Sequence, residues 1–142
     1  MTMQFATRVP MDPATDSPRL QAIKTSLNGY FAAVSLQGVD RATKLQAIAD
    51  CFCDDAELIT PTGVVLRGRE QVVGFYASPQ SPVMKDPFFC PQVNVTTLAV
   101  SANENTVAVE IALTETMTVG DWFTFDTDAD TPKICRLRIY DS

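Results

Sequence analysis

Apolar and polar positions follow a helical spacing early in the chain. Ser17 and Pro18 are a helix start, because serine caps free backbone N–H groups and proline fits the first helical turn. The apolar positions that follow recur every three or four residues and define one buried face: Leu20, Ile23, Leu27, Tyr30 and Val34. Asp40 is a cap for a second helix, and a third helix is predicted to begin at Arg69.

The spacing of apolar positions changes to two after the second helix, whose predicted buried face extends to Phe52. Residues 56–60 form a predicted strand in which Leu58 and Thr60 share one face. Residues 61–63 contain a proline and a glycine and are a turn signal that leads to a second short strand. The third helix follows this strand directly.

The second half of the chain has the pattern of a sheet. Three prolines make residues 78–91 a predicted loop, and four strands follow at 93–100, 106–118, 121–125 and 134–140. Helices that precede a run of strands are typical of an α+β domain, here with a curved antiparallel sheet wrapped around the N-terminal helices. Such a cone has an open end, where a pocket is the expected ligand site.

Strand parity predicts which side chains face the helices. Asp121 is in register with Phe123, and Cys135 is in register with Leu137. We expect Cys135 to pack beside Leu137 as a buried thiol of low reactivity. One face of the long strand is lined by Val107, Val109, Ile111, Leu113 and, by the same parity, Glu115.

Length and composition are those of one globular domain. The chain has 142 residues, of which 46% are hydrophobic, so a single core is expected within residues 17–142. Residues 1–16 are polar and lack periodicity, and they are expected to form a flexible N-terminal arm or an extended segment on the domain surface. Because no apolar run fits a signal peptide or a membrane span, we expect a cytoplasmic protein with no membrane partner.

Charge and residue types argue against several kinds of chemistry. The formal net charge of −6, with scattered lysines and arginines, argues against a nucleic-acid partner. The absence of histidine removes Ser-His-Asp and Cys-His catalysis and histidine-ligated metals. Four unevenly spaced cysteines indicate reduced thiols rather than a disulfide framework, and no metal site or cofactor is predicted.

Five short segments carry a resemblance to known proteins. In chain order they are Phe52-x-Asp54-Asp55-Ala56, Pro61-x-Gly63, Arg67-Gly68-Arg69-Glu70 through Phe75-Tyr76, Asp121-x-Phe123-x-Phe125, and Lys133-Ile134-x-Arg136-Leu137-Arg138. Their order and spacing resemble the NTF2-like (cystatin-like) superfamily, and within it the SnoaL-like polyketide cyclases and the ketosteroid isomerases. The resemblance covers most of the chain and implies the α+β cone described above. It also implies a homodimer, because such proteins commonly pair sheet to sheet.

The resemblance implies roles for individual residues. Tyr30 is similar to the oxyanion-hole tyrosine of the isomerases, Tyr76 to a supporting tyrosine, and Asp121 to the aspartic acid that donates a hydrogen bond to the substrate's oxygen. Thr60 stands where the isomerases have their base, so steroid-type isomerisation is not favoured. In the cyclases the carboxylate at the position of Asp121 can itself act as general acid or base.

The candidate catalytic residues are therefore Asp121, Tyr30 and Glu115. Burial among aromatic side chains would raise the pKa of Asp121. The alternative is a carboxylate at the cavity rim that pairs with an arginine or caps a loop. Tyr30 is either a phenol donor to a ligand or a core residue, and Glu115 is either a base or solvent-exposed. The candidate ligand-pocket residues are Thr60, Leu58, Tyr76, Ile111, Leu113, Phe123 and Leu137.

Two hypotheses of different classes follow. The first is a small-molecule cyclase or isomerase that acts on a hydrophobic carbonyl compound. The second is a non-catalytic NTF2-like module that binds a hydrophobic ligand or serves as a dimerisation platform, because this fold is used by enzymes and binding modules alike. Loss of turnover on substitution of Asp121 or Tyr30 distinguishes the first from the second.

Overall fold

Four helices and seven strands make up the described part of the chain. The computed structural model of the protein describes residues 5–6, 8–85, 89, 92–100, 105–112, 118–126 and 131–141, with the backbone alone for 5–6, 92–100 and 141. The helices are α1 (Pro18–Val34), α2 (Arg41–Ala49), α3 (Arg69–Ala77) and α4 (Pro82–Lys85). The strands are β1 (Phe5–Ala6), β2 (Phe52–Ile59), β3 (Val65–Arg67), β4 (Gln92–Val100), β5 (Thr106–Ala112), β6 (Thr118–Phe125) and β7 (Ile134–Asp141).

The first three helices begin where the sequence predicts. The Ser17 side chain accepts a hydrogen bond from the backbone N–H of Leu20 at 3.1 Å, and Asp40 accepts one from Thr43 at 2.7 Å. Each bond satisfies one of the backbone N–H groups that a first helical turn leaves without an intrahelical acceptor. The residue before α3 is Gly68, whose φ of +87° is a backbone conformation that glycine adopts without a steric penalty.

The strands form one sheet in the order β1-β4-β5-β6-β7-β2-β3. The predicted α+β architecture is confirmed, and all neighbouring strands are antiparallel except one pair. β2 and β7 run parallel, so the sheet is mixed rather than wholly antiparallel as predicted. The parallel pairing arises because β7 returns to the centre of the sheet and lies between β6 and β2.

Predicted boundaries were wrong in three places. Residues 106–118, predicted as one strand, divide between β5 and β6, because Thr118 pairs with Ala112. The strand β2 begins at Phe52 and not at Ala56, because helix α2 ends at Ala49 and the chain enters the sheet almost at once. Phe52 is fully buried, as expected, but from a strand and not from a helix. Residues 78–91, predicted as a loop, contain the short helix Pro82–Lys85.

An irregularity in the pairing of β7 with β6 changes the predicted parity of β7. Thr124 pairs with Arg136, while the next residue, Phe125, pairs with Ile134, so Cys135 is an extra residue in the ladder. Ile134 and Leu137 are therefore both buried, and Cys135 is half-buried on the other face of the sheet beside Arg136. The prediction that Cys135 packs beside Leu137 was wrong for this reason.

The core lies between α1 and the sheet. The ring of Tyr30 lies 5.2 Å from that of Phe123 on β6 and 6.0 Å from that of Phe52 on β2, measured between ring centroids. Burial of apolar area stabilises the fold by roughly 1.5–3 kcal/mol for a fully buried side chain of this size. The edge-to-face geometry of the aromatic pairs stabilises it further. Within the described part of the chain, no helix has the length and apolar character needed to cross a bilayer.

Besides the pairing of β1 with β4, side-chain contacts attach the segment before α1 to the domain. The Asn28 side chain accepts a hydrogen bond from the backbone N–H of Val9 at 2.7 Å and donates one to its carbonyl at 2.9 Å. The Val9 side chain is 1% exposed. Further along, Lys24 forms a 2.9 Å ion pair with Asp16. Residues 9–16 therefore contribute one side chain to the core.

Candidate functional site

A cavity of about 440 Å³ opens between the sheet and the helices. Its walls come from α1, α3, α4 and the sheet, and most of the lining side chains are apolar. The lining residues are Tyr30, Phe31, Val34, Pro61, Phe75, Tyr76, Ser78, Gln80, Ser81, Pro82, Val83, Phe89, Ile111, Val119, Asp121 and Ile139. Among these described residues Asp121 is the one with a carboxyl or a basic group, so it is the source of ionic charge among them.

Asp121 lies in the middle of β6, and the adjacent residues on the same face of the strand, Val119 and Phe123, are buried. Asp121 pairs with Val109 on one side and Ile139 on the other, and its side chain points to the same face as Phe123. Only 5% of the residue is exposed, and its Oδ1 has no hydrogen-bond partner among the described residues. Burial raises the pKa of Asp121 from its ordinary 3.8 to about 7. Near neutral pH the group is therefore present both as acid and as carboxylate.

Two tyrosines form a hydrogen-bonded pair at the same cavity. The hydroxyl oxygens of Tyr30 on α1 and Tyr76 on α3 are 2.6 Å apart, and both residues are buried. Burial raises the pKa of both phenols above its ordinary value, and the nearby charge of Asp121 raises both further. The phenols are therefore protonated at neutral pH. Because one hydroxyl donates to the other, one O–H proton of the pair remains to donate elsewhere.

The arrangement combines two chemical functions in an apolar enclosure. Asp121 can accept or give up a proton near neutral pH, and the Tyr30–Tyr76 pair can donate a hydrogen bond to an oxygen that gains negative charge. Donors that are fixed before reaction stabilise such an oxygen more strongly in a dry site than in water. The cavity can therefore support proton transfer next to a carbonyl group.

Four of the predicted site residues lie together. Asp121, Tyr30, Tyr76 and Ile111 all line the cavity. Two other predicted residues, Glu115 and Leu113, lie outside the described residues.

The remaining predicted pocket residues lie elsewhere. The side chains of Leu58, Phe123 and Leu137 are fully buried in the core and are not part of the lining. Thr60 is not part of the lining either, and its hydroxyl accepts a hydrogen bond from the backbone N–H of Val64 at 3.1 Å in the turn between β2 and β3.

Sequence reasoning missed the part of the lining that comes from residues 78–89. Ser78, Gln80, Ser81 and Phe89 lie there, and the segment was predicted as a loop. A signal was present, because Ser81 is followed by Pro82 just as Ser17 is followed by Pro18. The Ser81 hydroxyl accepts a hydrogen bond from the backbone N–H of Val83 at 3.3 Å at the start of α4.

A second, polar groove lies on the opposite face of the sheet. Glu57 forms 3.0 Å ion pairs there with Arg67 and Arg136. The hydrogen bond from Arg136 is the main cause that lowers the pKa of Glu57. Glu57 is therefore a carboxylate held outside the cavity. The described residues contain no cluster of three or more Cys, Asp, Glu or His side chains able to hold a metal ion.

Comparison with known proteins shows the fold of the chain. No family model matches it, and no curated protein matches it by sequence. Among solved structures it is similar to a SnoaL-like protein of unknown function from Burkholderia thailandensis E264, with 17% identity, a TM-score of 0.63, and coverage of 94% of this chain and 99% of the other.

Two further solved structures share this architecture. An NTF2-like protein of unknown function from Pseudomonas aeruginosa has 16% identity and a TM-score of 0.67 over 85% of this chain and 98% of its own. A provisionally assigned ketosteroid isomerase from Kribbella flavida has 14% identity and a TM-score of 0.55 over 86% of this chain and 78% of its own. The chain thus has the NTF2-like fold that the sequence predicted.

Proposed function

We propose that the protein binds a small hydrophobic carbonyl compound in the cavity and catalyses proton transfer beside the carbonyl group, as an isomerase or an intramolecular aldol cyclase does. One observation carries the proposal: a buried carboxyl, one oxygen of which has no hydrogen-bond partner among the described residues, lies in an apolar cavity with two hydrogen-bonded phenols. The cavity of about 440 Å³ falls in the range of roughly 300–1,000 Å³ that is usual for small-molecule sites. One structural neighbour is provisionally assigned as a ketosteroid isomerase, and its name is in keeping with a carbonyl substrate.

The residues take distinct roles in this scheme. The Asp121 carboxylate accepts a proton from the carbon next to the carbonyl, and the electron pair of the broken C–H bond forms an enolate. The Tyr30–Tyr76 pair donates a hydrogen bond to the enolate oxygen. In an isomerisation Asp121 returns the proton to another carbon of the same molecule. In a cyclisation the enolate carbon bonds to a second carbonyl carbon, and Asp121 gives its proton to the oxygen of that carbonyl.

The pKa of Asp121 suits both directions of this transfer. A catalyst whose pKa lies near the working pH is present in its basic form often enough to take a proton and is acidic enough, once protonated, to return it. An aspartate of ordinary pKa would be a weaker base toward a carbon acid. The scheme needs no second carboxylate, so Glu115 is not required as a base.

Exchange of carbon-bound hydrogen with solvent tests the catalytic step without knowledge of the natural substrate. The protein is incubated in D₂O with a panel of cyclic and open-chain carbonyl compounds that includes cyclohex-3-en-1-one, and deuterium uptake is followed by NMR. We expect Asp121→Asn to slow exchange by about 100-fold or more, because a positioned general base contributes roughly 10²–10⁴-fold. Tyr30→Phe should slow it less, since Tyr76 keeps a hydroxyl at the site.

A matched control comes from the exposed Asp55 in the polar groove. Asp55→Asn removes one carboxylate elsewhere and should leave exchange unchanged. If no compound of the panel exchanges faster with the wild-type protein than with Asp121→Asn, the catalytic proposal is refuted. A thermal-shift assay with the same compounds then decides whether the cavity binds them without turnover.

An exposed aromatic pair favours a second candidate function, a dimerisation platform. Trp122 is 51% and Tyr140 is 39% exposed on the face of the sheet opposite to the helices, and their rings are 6.0 Å apart. The Arg138 guanidinium lies 4.9 Å from the centroid of the Tyr140 ring. Sedimentation of the wild-type protein and of Trp122→Ser tests this function. A monomer in both cases contradicts it.

A further inference from the structure

Two cysteines meet in the polar groove on the outer face of the sheet. The groove has a volume of about 890 Å³, and Cys53 from β2 and Cys135 from β7 both line it. Their Sγ atoms are 3.7 Å apart, and both residues are half-buried and in the free thiol form. The pair is separate from the cavity that contains Asp121 and takes no part in the proposed proton transfer.

The parallel pairing of β2 and β7 brings the two thiols together. Phe52 pairs with Ile134, and each cysteine is the next residue of its strand. After this point four residues of β2 lie opposite Cys135 alone, until Glu57 pairs with Arg136. The guanidinium of Arg69 holds the bulged segment, since it donates to the Phe52 carbonyl at 2.7 Å and pairs with Asp54 at 3.0 Å.

The separation of the two sulfur atoms suits a bond between them. A disulfide needs the sulfurs at about 2.05 Å and the two Cα atoms roughly 4.4–6.8 Å apart, a range that neighbouring strands of a sheet satisfy. The sulfurs are already in contact, so small rotations about the Cα–Cβ bonds would close the remaining distance. The open groove gives a small reagent access to both.

We propose that Cys53 and Cys135 form a reversible dithiol–disulfide site that a low-molecular-weight disulfide such as glutathione disulfide oxidises. The Cys53 thiolate attacks one sulfur of glutathione disulfide, which forms a mixed disulfide and releases one glutathione thiolate. The Cys135 thiolate then attacks the Cys53 sulfur and releases the second glutathione. The protein loses two electrons and two protons, and the glutathione disulfide gains them.

The order of attack follows from the local electrostatics. Burial is the main cause that raises the pKa of both thiols above the ordinary value. Their mutual hydrogen bond lowers the pKa of Cys53 and raises that of Cys135, which reaches about 12. Cys53 therefore ionises first and attacks first. Cys135 loses its proton only when it resolves the mixed disulfide.

Cys51 is the natural comparison, because it is two residues from Cys53 but outside the groove. Its thiol donates to the carbonyl of Ala47 at 3.4 Å. Burial raises the pKa of Cys51 to about 11. It lacks a neighbouring thiol among the described cysteines, so it can be oxidised to a mixed disulfide but has no partner for an internal one.

The test is oxidation of the full chain followed by mapping of the cysteines. Fully reduced protein is incubated with glutathione disulfide, denatured, treated with N-ethylmaleimide and analysed by mass spectrometry. We expect the wild-type protein and Cys51→Ser to yield a peptide that joins Cys53 to Cys135 and is lighter by two hydrogen atoms than the two reduced peptides together, and neither of these two cysteines should take up maleimide. Dithiothreitol should restore the reduced mass.

The single-cysteine variants give the opposite result. Cys53→Ser and Cys135→Ser should form no internal disulfide. In Cys135→Ser the remaining Cys53 should carry glutathione, whereas in Cys53→Ser the remaining Cys135 should react much more slowly. Cys135→Ala replaces Cys135→Ser if the serine variant does not fold. The proposal is overturned if the wild-type cysteines all remain open to maleimide. It is also overturned if the internal disulfide joins Cys51 or Cys90 instead of linking Cys53 to Cys135.

Discussion

The buried carboxyl of Asp121 should make the stability of the protein fall as the pH rises from about 4 to about 7. Its pKa is about 7 in the folded protein and 3.8 ordinarily, which we take as the unfolded value. Below about pH 4 the group is protonated in both states and costs nothing. Between these two pH values the unfolded chain releases the proton while the folded protein keeps it, so the free energy of unfolding falls as the pH rises. Above about 7 the loss is complete.

The size of this loss follows from the two pKa values. A tenfold difference in proton affinity corresponds to about 1.4 kcal/mol, and the separation of 3.8 and about 7 therefore gives a loss of up to about 4 kcal/mol. Asparagine has nearly the same shape and no proton to release. The substitution Asp121→Asn should add a constant offset in stability but remove the dependence on pH that this group causes.

Urea unfolding at several pH values between 4 and 8 measures the effect. The free energy of unfolding of Asp121→Asn minus that of the wild-type protein should increase by up to about 4 kcal/mol across this interval. The exposed Asp55→Asn variant serves as the control for removal of one carboxylate. A difference that stays constant from pH 4 to 8 would show that Asp121 is not buried as an uncharged acid, and the proposed acid–base role would lose its basis.

Three further substitutions test the local structure, each by chemical denaturation. Tyr76→Phe should cost about 1–2 kcal/mol because it leaves the buried Tyr30 hydroxyl without its partner, and the double variant with Tyr30→Phe should cost less than the sum of the single ones. Gly68→Ala should cost about 1–3 kcal/mol because φ is +87° there. The added methyl group meets no neighbour within 4 Å, so this cost comes from the backbone conformation and not from a clash. Ser17→Ala should cost about 1 kcal/mol through loss of the bond to Leu20. Losses below about 0.3 kcal/mol would contradict these assignments.

The parts of the fold that could be predicted depend on local chemistry. A capping side chain such as Ser17 or Asp40 bonds to N–H groups three residues away, so it marks a helix start whatever the rest of the chain does. The face of Asp121 was predictable as well, because β6 alternates regularly up to Phe125. The architecture as a whole was predicted from the resemblance. The structure corrects that prediction in one respect, because the sheet is mixed and not wholly antiparallel.

The parts that could not be predicted depend on contacts between distant segments. Cys135 faces the groove because a bulge shifts its register against β6, and a bulge is a property of two paired strands. In the same way, the hydrogen bond between Tyr30 and Tyr76 joins residues from two helices. Resemblance to the isomerases placed both tyrosines near the site, but neither sequence position carries information about the other.

The position of β7 in the sheet also constrains how the protein can fold. The strands β1, β4, β5 and β6 form one part of the sheet and β2 and β3 form another, and β7 alone joins them. The parallel pair joins residues as far apart in the chain as Phe52 and Ile134, so closing it has a large entropic cost before any contact repays it. On the ribosome, the two parts cannot become one sheet until the residues of β7 have been synthesised. Folding of the domain should therefore be slow and should be completed only after β7 has left the ribosome.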